Sequence, residues 1–313
     1  TGDKVASTGA FTIGAAGTTS SIAGANILVE ANSLFIGDDV SGTTDTAANS
    51  VAVGIDALDA VTTGDANVAI GKSALSAVNT GANNIGIGNQ AGAAMTTGSS
   101  NIAIGSNALD AEDTGTQSIA IGPSALTTQN NDTDSNNICI GYEAGELITT
   151  GRWNHFIGTQ AGDDFDTEHS NLGIGYRALG GSIAGGEYNV AIGNSSLDAV
   201  TSADDNVAIG YYAGSALTTG GAGGGRNIFI GSNAGDSVDT GYGNVIIGTQ
   251  AGSSNSNGIG ADPTSGYRNI LIGPFANMND ATHSHAIVMG YAIDGVGDRF
   301  TFGKPSNIVY NNF

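Results

Sequence analysis

The chain has little of what most folds depend on. It holds one cysteine, Cys139, in 313 residues, which excludes an intrachain disulfide framework. Four prolines against 51 glycines, with no Gly-X-Y register, exclude a collagen-like helix. Eight lysines and arginines stand against 29 aspartates and glutamates, a formal net charge of −21. Phosphate-driven nucleic-acid binding and attraction to an anionic membrane both need a field of the opposite sign. No apolar run approaches the length of a membrane span. No secretory leader is visible, and the first residue is Thr1 rather than Met, as expected of a fragment or a processed product. With 40% hydrophobic and 12% charged residues, the composition is also unlike that of a disordered chain.

What the chain does have is a repeat. Asn67-Val68-Ala69-Ile70-Gly71 recurs as Asn84-Ile85-Gly86-Ile87-Gly88, Asn101-Ile102-Ala103-Ile104-Gly105, Asn206-Val207-Ala208-Ile209-Gly210 and Asn244-Val245-Ile246-Ile247-Gly248. The closing glycines fall mostly 17 residues apart, from Gly37 to Gly290. A fixed period of this length is the mark of a solenoid. The expected fold is therefore all-β, a parallel β-solenoid or β-roll of about fifteen mostly 17-residue coils. Residues 1–30 read as an entry segment or cap, 31–290 as the repeat shaft and 291–313 as an exit segment. Insertions at 130–135, 220–225 and 253–266 read as loops on one edge.

Alternation along a strand divides each pentapeptide into two faces. The residue before the glycine is expected in the coil core: Ile70, Ile87, Ile104, Ile121, Ile140, Ile157, Ile174, Ile192, Ile209, Ile230, Ile247 and Ile272, together with the aliphatic two residues earlier, broken only by His155. The residue between them is expected to face outward: Ala52, Ala69, Gly86, Ala103, Ala120, Cys139, Phe156, Gly173, Ala191, Ala208, Phe229, Ile246, Leu271 and Val288. This row has no charged member, so the expectation is burial against a symmetric copy, with the larger residues filling a wider gap near the C-terminal end. After the glycine come a small residue and a Leu or Gly (Ala74-Leu75, Ala91-Gly92), then a third apolar row including Val61, Val78 and Met95. Thr-Gly pairs such as Thr63-Gly64 and Thr80-Gly81 read as turns in which glycine supplies positive φ. The asparagines opening the strands would stack into an amide ladder.

The N-[V/I]-x-I-G-x-x-A-[L/G]…T-G repeat resembles the stalk repeats of phage tail fibres and related virion appendages. More distantly it is similar to the heads of trimeric autotransporter adhesins. Phe300-Thr301-Phe302-Gly303-Lys304-Pro305-Ser306-Asn307 looks like the segment ahead of an endosialidase-type intramolecular chaperone. The resemblance implies a parallel homotrimer located on the virion, with other tail or appendage proteins as partners; a host surface glycan is a minority reading that rests on exposed tyrosines. It also implies a chaperone that cleaves itself off, in keeping with a chain that stops at Phe313. The alternative is a bacterial cell-surface adhesin or extracellular filament subunit with the same coil.

No catalytic constellation is assignable, so the chain is expected to be a structural protein rather than an enzyme, without a cofactor. Gly86-Ile87-Gly88 and its repeats lack the helix a phosphate-binding loop needs. His283-Ser284-His285 is the one metal-like motif: on an extended segment, His283 and His285 would share one side, and a threefold axis would gather six nitrogens. Asp38-Asp39 and the acids of 130–135 fit no calcium-loop pattern and read as solvated surface. Tyr142, Tyr176, Tyr211 and Tyr291, each just after a repeat glycine, offer a partial aromatic strip for sugar or for packing between subunits. Threonines at the turns are too interrupted for an ice-binding array.

Overall fold

A computed structural model describes residues 19–22, 25–30, 33–37, 47–131, 134–181, 185–219, 225–253 and 264–312. Residues 1–18 of the expected entry segment, Asp38-Asp39 and most of the second and third insertions lie outside them. The described residues form a β-solenoid of about 14 turns at a spacing near 17 residues, with no helix. One 19-stranded sheet runs its length. Each repeat supplies a three-residue strand, such as Val68–Ile70 or Ile102–Ile104, paired in parallel with the same positions of the coils on either side.

Both ends of the stack change character. At the N-terminal end Thr19–Ile22, Ala25–Glu30 and Ser33–Gly37 pair antiparallel before the parallel stack begins at Val51–Gly54. At the C-terminal end Arg299–Lys304 pairs in parallel with Ile287–Gly290, matching Gly290 to Gly303. The stack thus extends past residue 290, through a shortened coil, before Asn307–Asn312 folds back antiparallel.

Strands this short cannot hold a rod by themselves, and the turns share the load. Backbone bonds join successive coils around the whole circuit: Ser73 N–H to Ile55 C=O at 2.8 Å, Leu75 N–H to Ala91 C=O at 3.0 Å, Asn83 N–H to Asp65 C=O at 2.9 Å. The path that permits this places residues such as Ser73, Leu75 and Asn83 at φ of 54°, 49° and 60°. Left-handed backbone costs a non-glycine residue about 1–2 kcal/mol, and the bonds it directs along the axis offset that cost.

The core lies on the opposite side of the strand from the one expected. Ala69, Ala103, Ala120, Cys139, Phe156, Ala191, Ala208, Phe229, Ile246, Leu271 and Val288 are fully buried inside their own chain, and Ala52 nearly so. Gly86 and Gly173 occupy the same inward row. The isoleucines assigned to the core, from Ile70 to Ile272, point outward and are half-buried or exposed, with Ile70 at 40% and Ile157 at 39%. The physical reason is the width of the coil. Seventeen residues wind too tightly for two β-branched rows inside, and the interior is filled instead by the turn, with Leu58, Leu75, Leu109, Val61, Val78 and Met95 all fully buried.

The larger inward residues answer smaller partners rather than a wider gap near the end. Phe156 sits where a Cβ on Gly162 would lie, and Phe229 would meet one on Gly214 at 2.5 Å. Leu75, beneath the strand glycine Gly86, leaves 2.6 Å for a Cβ there. Core volume is conserved across neighbouring coils while its source moves between strand and turn.

Two glycine columns are fixed by close approach. In the strand-ending column, Gly175 has φ of 135° and a Cβ would stand 2.7 Å from the Gly193 carbonyl oxygen. Gly175→Ala should therefore cost at least about 3 kcal/mol, read as a fall in melting temperature. A stability equal to the parent's would contradict this packing. The Thr-Gly glycines differ from expectation: Gly64, Gly81, Gly98 and Gly115 are not among the positive-φ residues. They are small because the next coil passes over them, as at Gly98, where a Cβ would lie 2.6 Å from Gly115 O.

The asparagines opening the strands are buried, and bond chiefly to backbone. Asn84 Oδ1 accepts the Asn101 N–H at 3.0 Å, and Asn84 Nδ2 donates to Gly98 O at 2.8 Å. The pattern repeats from Asn67 to Asn269, which receives Ala286 N–H at 3.0 Å. Side chain-to-side chain bonds appear in part of the ladder, as from Asn206 Nδ2 to Asn189 Oδ1 at 2.9 Å. Where Ser118 replaces asparagine, Gln129 fills in, donating to Ser118 Oγ at 3.0 Å and to buried Glu112 at 2.7 Å, and accepting Asn137 Nδ2 at 2.8 Å.

Candidate interaction face

The outward rows form two parallel columns on one face of the rod. One runs Val51, Val68, Ile85, Ile102, Ile119, Ile138 and on to Ile287, with His155 its one polar member. The other runs from Val53 through Ile70 and the other isoleucines to Met289. Coils stacked at about 4.8 Å make this face about 60 Å long; two columns roughly 7 Å apart span about 10 Å once the width of the side chains is included, an apolar area of roughly 600 Å². That is the upper end of what a monomer leaves in contiguous apolar patches. The sheet is uniform in composition: β-branched side chains repeat with little change from coil to coil.

The two flanks of this face carry exposed aromatic residues. At the C-terminal ends of strands these are Tyr142, Tyr176, Tyr211 and Tyr291, and at the N-terminal ends Trp153 and Tyr188. Arg152 lies over the Trp153 ring at 5.5 Å, and His169 meets it edge-on at 6.2 Å. Further along, Tyr242 and Tyr267 stack at 4.9 Å with their planes 2° apart, and Arg268 lies 5.9 Å from the second ring.

Acidic residues gather on the turn side. Burial and the neighbouring Asp164 raise Asp163 from 3.8 to about 6, and its Oδ1 has no hydrogen-bond partner. Burial likewise raises Asp110, Glu112, Glu146, Asp198 and Asp294, whereas the exposed Asp280 is lowered, by bonds from Thr282. A raised carboxylate binds its proton more tightly when folded, so its stabilisation is complete below pH 3.8 and is lost as pH rises through about 6. The melting temperature should therefore increase on acidification from pH 7 to about pH 5, and Asp163→Asn should flatten part of that slope. A melting temperature that falls over this interval would contradict the assignment.

The histidine pair is not laid out as alternation implied. His285 has φ of 58°, so the segment turns there instead of running extended. His285 meets Tyr267 edge-on at 5.1 Å and its Nδ1 is 3.7 Å from Asp298. His283 Nδ1 is buried without a partner, on the side where Gly297 passes. Among the described residues no group of three or more His, Cys, Asp or Glu side chains is placed to hold a metal ion. Nor, among them, is any helix long and apolar enough to cross a membrane. The amides of the asparagine ladder are spent inside the protein.

Comparison with known proteins returned no matching family model, no matching curated protein and no matching solved structure.

Proposed function

We propose that this chain is the shaft of a homotrimeric β-solenoid fibre, part of a phage tail fibre or similar virion appendage that supports attachment to a host. The reading is carried by one observation, the aliphatic face some 60 Å long that a single chain leaves open. Its occupant is a second copy of the same chain. A surface that repeats every coil is matched at every rung by an identical surface of identical period, and by few others. The remaining surface, at −21 per chain, repels unrelated acidic proteins and discourages side-by-side clumping of finished rods. The number three comes from the resemblance to tail-fibre stalks, and a narrow two-column face suits packing around a central axis.

The solution mass of the purified chain tests this directly. A threefold mass is expected, and a stable monomer or dimer would overturn the trimer. Antibodies to the shaft should then decorate particle appendages. Decoration of the cell envelope instead would move the role to a surface adhesin.

A further inference from the structure

We propose that the exposed aromatic residues flanking the aliphatic face interdigitate between neighbouring copies and set their axial register. The inference rests on the assembly reading above and adds which residues meet. In five successive coils there is one exposed aromatic column position per coil, and it changes ends each time. Tyr142 follows the strand Ile138–Ile140, Trp153 precedes His155–Ile157, Tyr176 follows Leu172–Ile174, Tyr188 precedes Val190–Ile192 and Tyr211 follows Val207–Ile209. Their exposures are 48, 51, 48, 58 and 53%.

Each flank therefore carries an aromatic in every second coil, about 9.6 Å apart. Short residues lie between: Thr159 and Asn194 on one flank, Ser170 on the other. In parallel copies arranged around an axis along the rod, the C-terminal flank of one strand meets the N-terminal flank of the next, a head-to-tail contact that closes into a ring. A ring entering a gap of about 9.6 Å from the facing flank lies about 4.8 Å from its neighbours above and below, within the range in which aromatic pairs attract. The two patterns fit when the copies are parallel and level; a slip by one coil makes them collide, and a slip by two leaves fewer gaps filled.

This answers a problem the aliphatic face creates. Its columns are nearly uniform, so a slip by one coil exchanges one valine or isoleucine contact for another. The same slip would set aromatic against aromatic and leave the gaps unfilled, which makes the seam the element that distinguishes registers.

Trp153 is the chain's one tryptophan and reports on the seam directly. In the full-length oligomer it should be shielded from acrylamide. The double substitution Tyr142→Ala with Tyr176→Ala, both at the C-terminal ends of the strands on either side of His155–Ile157, should raise its quenching at least twofold. Shielding that is absent in the parent oligomer, or unchanged in the variant, overturns the seam and leaves the trimer standing; a monomeric parent overturns the trimer itself. A second measurement covers a variant that fails to assemble. Co-expressed Tyr176→Cys and Trp153→Cys chains should cross-link through a short bis-maleimide, whereas either alone should not. Cross-linking within a single variant would show that like flanks meet and would refute the arrangement. The native Cys139 is buried, with its thiol held protonated by that burial, and stays out of the reaction.

Discussion

Ala103→Asp should unfold its coil, while the pair Ile87→Asp and Ile104→Asp should leave the coil folded and abolish assembly. The two outcomes follow from opposite faces of the sheet, Ala103 and Ile104 being neighbours on one strand and Ile87 the counterpart of Ile104 on the strand before. Ala103 is fully buried inside its own chain, and the Cβ of the packed turn glycine Gly92 would lie 3.9 Å from its methyl group. A carboxylate there has no bonding partner and no room, and burying such a group costs several kcal/mol even after it takes up a proton, about the range of severe core substitutions. Ile87 and Ile104 instead face outward and are only half-buried. Aspartates at these positions meet water in a single chain, but in the proposed trimer they would bring six carboxylates together at the interface. Circular dichroism and sedimentation separate the cases. An Ala103→Asp protein that keeps its strand signal, or an Ile87→Asp/Ile104→Asp protein that loses it, would reverse the facing described here.

Asn84→Leu should be nearly as damaging, although the side chain is close in volume. The substitution leaves the Asn101 N–H and the Gly98 carbonyl unpaired in a dry interior. Each orphaned group costs about 1–3 kcal/mol, so the total is about 2–6 kcal/mol. Asn84→Ser should cost less, since Ser50 occupies the same position and its Oγ accepts the Asn67 N–H at 3.2 Å. The readout is amide hydrogen exchange at Asn101, which should accelerate strongly in the leucine variant. Unchanged protection would mean that the ladder carries no load.

The period, the strands and the parallel register were all legible in the sequence, because an aliphatic pattern kept in phase over so many copies has few explanations. Which face was the inside was not. Alternation separates Ala103 from Ile102 and Ile104 but does not say which side the turn occupies, and hydrophobicity argued for the isoleucines. The missing signal was volume. Phe156 and Gly162 belong to one coil, as do Ala69 and Leu75, and this compensation between strand and turn marks the inward row. The left-handed leucines were also hidden: Leu58, Leu75 and Leu109 hold φ near 50°, where local preference names glycine or asparagine. There the stacked backbone overrides the residue's own preference. The aromatic alternation was half visible, in the four tyrosines after the glycines; the other half needed Trp153 and Tyr188 to be placed at the opposite strand ends.

The asparagine ladder has one more property. The bond from the backbone of one asparagine to the side chain of the preceding one is 2.9 Å when 17 residues separate them, 3.0 Å across 21 and 2.9 Å across 25. The distance between rungs is thus independent of how much chain lies between them. Span and ornament are encoded separately: copying a repeat lengthens the rod, while enlarging a connection decorates its side. A lineage can change what the solenoid displays without redrawing how far it reaches.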